Sequence, residues 1–272
     1  MAFSVGDIDE TQAPLLDHLI ELRTRLLRCV YALAVGFAIS LYFADEIFGF
    51  LVRPLTAAFP AGQGKLIYTQ LYEAFFVELK VALFAAFFMA FPVIANQLWA
   101  FVAPGLYAKE KKAFLPFLLA TPVLFTLGAA LAYYVVMPTA FRFFLTFEGE
   151  KGGLQMEALP GTSNYLGLVM QFILAFGISF LLPVLMLLLN RAGIVSRAQL
   201  VAARRYVIVG MAVFAAVVTP PDVVSQLMLL VPLMLLFEGA LVVMWFIDRK
   251  GAEVEAGADE ASTEQTPDTE QP

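Results

Sequence analysis

The sequence predicts an all-α membrane protein of six transmembrane helices, with both termini cytoplasmic and a concave bundle whose last two helices are short. Three observations predict it. The 272 residues are 61% hydrophobic and only 15% charged, whereas soluble domains run nearer half and a quarter. The apolar excess is gathered into runs of about 20 residues, the length that crosses a bilayer. Lysine and arginine also alternate between dense and sparse in successive loops, as they do in polytopic chains.

The elements follow in chain order. Residues 1–25 form an N-terminal segment with Asp7, Asp9 and Glu10 ahead of any apolar run. A cleavable secretory signal starts basic instead, so the first span is expected to be retained. Within this segment Pro14–Arg28 reads as an amphipathic helix. Leu15, Leu19, Leu22 and Leu26 share one stripe, and Asp17, Glu21, Arg25 and Arg28 the other. It is expected to lie on the inner face and lead into the first span.

The spans are read as Leu26–Ala44, Phe75–Phe101, Ala113–Val136, Tyr165–Leu189, Tyr206–Thr219 and Ser225–Ile247. Residues 26–247 thus make the membrane domain. The fifth span is too short for an ordinary bilayer and calls for local thinning or burial against neighbours. Pro220, Pro221 and Asp222 turn it tightly into the sixth. Pro92, Pro116, Pro122, Pro138, Pro183 and Pro232 stand in or beside spans, so the helices bend and the bundle encloses a concavity. Between spans, Asp45–Phe59 is expected to be an interfacial amphipathic piece, and Met137–Asn164 a second outer loop.

Twelve of the 17 basic residues fall on one side: Arg23, Arg25, Arg28, Lys109, Lys111, Lys112, Arg191, Arg197, Arg204, Arg205, Arg249 and Lys250. That side is therefore cytoplasmic. Trp99 and Trp245 are expected near the cytoplasmic ends of spans two and six, as interfacial aromatics. The net charge of −6 comes from the tail: beyond Lys250 stand seven acids and no base. Residues 248–272 are expected to form a disordered cytoplasmic tail.

One stretch asks for more than anchoring. HLIELRTRLLRCV sets Glu21 among Arg23, Arg25 and Arg28. On one reading Glu21 and Arg25 are an i,i+4 pair on a wet helix face, worth about 0.2–0.5 kcal/mol. On another, Glu21 and Glu110, each a lone acid in a basic cytoplasmic neighbourhood, together receive two guanidinium groups in forked hydrogen bonds that lysine does not reproduce.

Four motifs, HLIELRTRLL from His18, QLWAFVAPGLYAKEKK from Gln97, AYYVVMP from Ala132 and VVTPPDVVSQ from Val217, stand in this order. They resemble the TatC family, the multi-spanning receptor of the twin-arginine protein translocase. The resemblance covers Pro14–Ile247. It implies export of folded proteins whose signal peptides carry paired arginines. Glu21 and Glu110 match the acidic positions for that pair, with Arg23, Leu26, Phe101 and Tyr107 beside them. Pro54 matches a functionally sensitive outer-loop proline, and Asp222 the Pro-Pro-Asp turn. Thr219 and Gln226 match polar positions where single-span TatA- and TatB-type partners dock. Gln171 joins them as a partner contact, against the alternative of an interhelical bond within the chain. The resemblance further implies self-association in a receptor complex, drive from the protonmotive force, and residence in a bacterial cytoplasmic membrane rather than a thylakoid. One departure stands out: many members carry a glutamate in span four where this chain has Leu181.

No catalysis is expected. One cysteine and one histidine make no metal site of the usual kind. Gly62–Lys65 (GQGK) lacks the upstream glycine and following Ser/Thr of a phosphate loop. No cofactor and no nucleic-acid partner is expected. Glu238, inside span six, supports a rival reading as the coupling site of a proton-driven small-solute transporter; an inert scaffold is the other rival.

Overall fold

The computed structural model describes the backbone of residues 6–59, 64–106 and 115–263, and the side chains of 18–59, 64–101, 117–150 and 152–249. Helix follows helix: α1 (Gly6–Tyr42), α2 (Ala44–Thr56), α3 (Glu73–Leu106) and α4 (Leu115–Leu131). A π turn at Ala132–Val136 carries α4 into α5 (Met137–Leu145). A small hairpin, β1 (Gly149–Lys151) and β2 (Leu154–Met156), precedes α6 (Thr162–Ser179) and α7 (Leu182–Arg191). Short α8 (Arg197–Ala202), α9 (Arg204–Val218) and α10 (Val223–Thr263) complete the described chain.

Five of the expected spans are long and apolar enough to cross a membrane: His18–Tyr42, Glu73–Phe101, Phe117–Leu145, Thr162–Arg191 and Val223–Arg249. The remaining one, α9, has 15 residues, about 22 Å of helix against a hydrocarbon core of about 30 Å. It is as short as its sequence suggested, whereas α10 is long.

Several boundaries differ from the sequence reading. The third span runs on to Leu145 rather than ending at Val136. Pro138 has no N–H to give the Tyr134 carbonyl, and the helix takes up that loss by widening into the π turn instead of stopping. The fourth span is broken in two at Phe180–Leu181, just ahead of Pro183, which takes a first-turn place in α7. At the N-terminus there is no separate surface helix: the amphipathic stretch and the first span are one uninterrupted rod. Its residues from Leu22 onward lie against the end of α3. At the other end α10 continues to Thr263, into a stretch expected to be disordered. Alanine and glutamate there favour helix, and extension of an existing helix needs no new nucleus. Residues 264–272 of the tail lie outside the described residues.

Without a hydrophobic drive between helices in lipid, close packing of small residues sets the contacts. α1 packs along α3, where Ala82, Ala86 and Ala90 form a buried stripe at helical spacing. α4 and α6 cross more tightly. A Cβ on Gly128 would stand 2.4 Å from the Phe176 carbonyl oxygen, and one on Gly177 would stand 2.7 Å from the Phe125 ring. Phe125 in turn stacks on Phe91 with ring centroids 3.7 Å apart. The main core surrounds Phe172, Phe176, Phe237, Leu229, Leu233 and Met244. A second core joins Phe91, Trp99, Phe117, Phe125 and Leu188. Trp99 is therefore buried, not interfacial, and its Nε1 donates to Thr121 Oγ1 at 2.7 Å. Trp245 does stay 40% exposed.

The segment after α2 is tied across the bundle to the start of α6. Ile67 N donates to the Pro160 carbonyl at 3.1 Å, and Thr162 N donates back to the Ile67 carbonyl at 2.8 Å. Glu73 fastens the same junction. Its carboxylate accepts from Thr69 N at 2.9 Å and from Ser163 N at 3.0 Å, so the first residue of α3 caps the open amides of α6.

Candidate functional site

The first and second motifs meet. His18 on α1 stacks on Phe101 of α3, with ring centroids 4.4 Å apart and planes 21° from parallel. Glu21, one turn along α1, has its Oε2 3.9 Å from His18 Nδ1. Its other oxygen, Oε1, accepts from Arg25 Nε at 2.9 Å and also from an Arg25 terminal nitrogen. The i,i+4 pair is thus present, and it uses one carboxylate oxygen only. Arg28 Nη1 reaches Gln97 Oε1 at 3.5 Å. Beside this cluster runs an apolar groove of about 360 Å³, walled by Leu22, Leu26, Cys29, Ile94, Leu98 and Phe101. Leu26 and Phe101 therefore share one surface. Arg23 is exposed on the same helix. Glu110 and Tyr107 lie outside the described residues, between the end of α3 and the start of α4.

The second group gathers at the α9–α10 turn. Thr219 precedes two prolines and takes extended backbone, with φ −98° and ψ 158°, which ends α9. Its buried hydroxyl donates back to the Ala215 carbonyl at 2.8 Å. The Val218 carbonyl, left without a helical partner by that ending, accepts from Gln171 Nε2 at 2.8 Å. Gln171 thus makes the interhelical bond that was the alternative to a partner contact. Asp222 Oδ1 accepts from Ser225 N at 2.7 Å, an N-cap on α10 worth about 1 kcal/mol. Asp222 Oδ2 and Ser225 Oγ are buried with no hydrogen-bond partner among the described residues. Gln226 follows one turn into α10, half-buried.

Pro54 explains a third contact. It lies inside α2 and has no N–H to give the Phe50 carbonyl four residues back. Tyr133 of the π turn supplies the missing donor: its hydroxyl donates to the Phe50 carbonyl at 2.6 Å, and the two rings stack with centroids 4.3 Å apart. Tyr165 of α6 also reaches α2, its hydroxyl donating to the neighbouring Leu51 carbonyl at 2.8 Å. Tyr133→Phe is therefore expected to cost about 1–3 kcal/mol, as a part-buried carbonyl loses its donor. The cost should shrink in a Pro54→Ala background, where the helix regains its own N–H. A double-mutant cycle on thermal unfolding measures this, and additive effects would contradict it.

Glu238, the coupling residue of the transporter reading, is paired with a base. Its Oε2 accepts from Arg204 Nη2 at 2.9 Å, and the two side chains are 45% and 46% exposed. Because α9 is short, its basic first residue stands level with the fifth turn of α10. Leu181, the departure noted in span four, lines an apolar cavity of about 600 Å³ with Trp99, Leu185, Met211 and Leu233.

Sequence reading had not singled out His18, Tyr133, Tyr165 or Glu73 as site residues. For Tyr133 a signal was present, since Pro54 announces an unpaired carbonyl at Phe50. Which distant hydroxyl fills it is a tertiary fact.

The fold and these clusters define a multi-pass, all-α membrane protein whose polar side chains join helices to one another. A family model described as Sec-independent protein translocase protein (TatC) matches residues 17–232. The chain belongs to the TatC family; it is a component of the twin-arginine protein translocase and not an enzyme. A relative of that name from Magnetococcus marinus is 51% identical over 252 residues, spanning 93% of this chain and 91% of the relative. Another, from Escherichia coli strain K12, is 40% identical over 244 residues, spanning 90% and 92%. A crystal structure described as the twin arginine translocase receptor TatC in DDM superposes with a TM-score of 0.72 at 37% identity, covering 83% of this chain and 98% of that one.

Proposed function

We propose that this chain is the signal-receiving subunit of its translocase. Glu21 and Glu110 hold the paired arginines of a folded precursor's signal peptide at the cytoplasmic face, with Arg23, Leu26, Phe101 and Tyr107 around them. The observation that carries this reading is the stacking of His18 on Phe101. It brings the helix of the first motif against the helix that leads to Glu110, with the apolar groove of Leu26 and Phe101 beside Glu21. A peptide with an arginine pair followed by an apolar stretch suits such a face: forked bonds for the one, groove for the other.

On this reading residues 1–25 and 248–272 are cytoplasmic, residues 26–247 cross the bacterial inner membrane, and the protonmotive force supplies the work. Single-span TatA- and TatB-type partners dock at the α9–α10 turn, near Thr219, Gln226 and Gln171. Pro54 and Asp222 act by fixing α2 and the turn. The receptor self-associates.

The test is photo-crosslinking of a labelled twin-arginine peptide to probes placed at residues 24 and 108, beside the two acids, of the full chain in membranes. Both probes should capture it, and a lysine-pair peptide should compete poorly. Capture at neither position, or equal competition by the lysine pair, would overturn the proposal.

A further inference from the structure

We propose that the cleft between α8, the start of α9 and α10 is a headgroup site for an anionic phospholipid, with Arg197 and Arg204 receiving its phosphodiester. The cleft has a volume of about 180 Å³ and is lined by Arg197, Val201, Arg204, Glu238, Leu241, Val242 and Trp245. Arg197 is set in place from one end. Its Nε donates to the Leu241 carbonyl of α10 at 3.3 Å, and its two terminal nitrogens have no acceptor among the described residues. Arg204 gives one terminal nitrogen to Glu238. A guanidinium carries five donors in a fork that matches phosphate, so both arginines retain capacity after these bonds.

Charge selects the ligand. Two guanidiniums against one carboxylate leave the cleft with one net positive charge. A cationic peptide is repelled, and a singly charged phosphodiester is matched. The remaining wall is apolar. Val201, Leu241 and Val242 suit glycerol and the first acyl carbons, and Trp245 is the amphipathic ring that favours the headgroup level. Depth agrees as well. Arginines at the start of a 15-residue α9 are costly to leave in hydrocarbon, so the headgroup layer has to descend to them. Basic pockets between spans on the cytoplasmic side bind lipid headgroups for these reasons.

Native mass spectrometry of the detergent-purified full chain tests the site, titrated with dioleoyl phosphatidylglycerol or dioleoyl phosphatidylcholine. One phosphatidylglycerol should bind about tenfold more tightly than phosphatidylcholine. Arg197→Gln should abolish that preference. So should the paired change Arg204→Gln with Glu238→Gln, which strands no charge. Equal binding of the two lipids by the unaltered chain would overturn the proposal, as would a preference that survives both variants. Displacement of phosphatidylglycerol by chainless glycerol phosphate at equal concentration would make this a free-phosphate site and equally overturn it.

Discussion

Gly128→Val is expected to lower the thermal stability of the purified protein more than any other single change discussed for this chain. The first added carbon alone falls 2.4 Å from the Phe176 carbonyl oxygen and 2.8 Å from the carbonyl carbon. A clash with a side chain is relieved by rotation, but this one is with backbone in the last turn of α6, whose carbonyl already accepts from Phe180 N, so α4 and α6 have to separate. Gly177 meets Phe125 of α4 at the same crossing, and Phe125 is packed between Phe91 and the helix. Separation therefore loosens both cores. Overpacking of this kind costs about 1–3 kcal/mol or more. Melting followed by size-exclusion in detergent reads it directly. Gly128→Ala should show the same direction at smaller size, and an unchanged melting temperature for the valine variant would contradict the crossing.

Glu21→Lys is expected to weaken binding of a twin-arginine peptide by roughly 10- to 100-fold. Hydrogen bonds between charged groups contribute about 1.5–3 kcal/mol each, and about 1.4 kcal/mol is a factor of ten. The substitution removes such bonds and sets a cation among Arg23, Arg25 and Arg28. It leaves the helix intact, because Glu21 is only partly buried and bonds within its own helix. Binding measured by fluorescence anisotropy should fall while circular dichroism holds. An unchanged affinity would remove Glu21 from the signal site.

The bundle was legible because lipid imposes it: an apolar run of about 20 residues has few alternatives to a helix. The short fifth span and the Pro-Pro-Asp turn were legible for local reasons, since two prolines end α9 whatever surrounds them. Other features were not. Glu238 reads as intramembrane when its own helix is considered alone; only the shortness of α9 brings Arg204 level with it. Trp99 sits where an interfacial tryptophan belongs by position, yet Thr121 on another helix draws it inward. The third span was read as ending at Val136 because its most apolar run ends there, whereas the π turn absorbs Pro138 and the helix runs on to Leu145. At the candidate site, Glu21 and its arginine neighbours were visible in the first motif, while the pairing of His18 with Phe101 needed the contact between α1 and α3.

The hydroxyl that Tyr133 lends to Phe50 has a consequence for modularity. Residues 44–56 look like a self-contained loop helix that could be exchanged between homologous bundles. Their hydrogen-bond ladder is nevertheless completed by a rung from elsewhere in the chain. A graft carrying Pro54 into a host without a tyrosine at the matching place would arrive with a gap, and a host keeping the tyrosine but losing the proline would have a redundant donor. The two positions work as a single structural unit split across distant stretches of sequence.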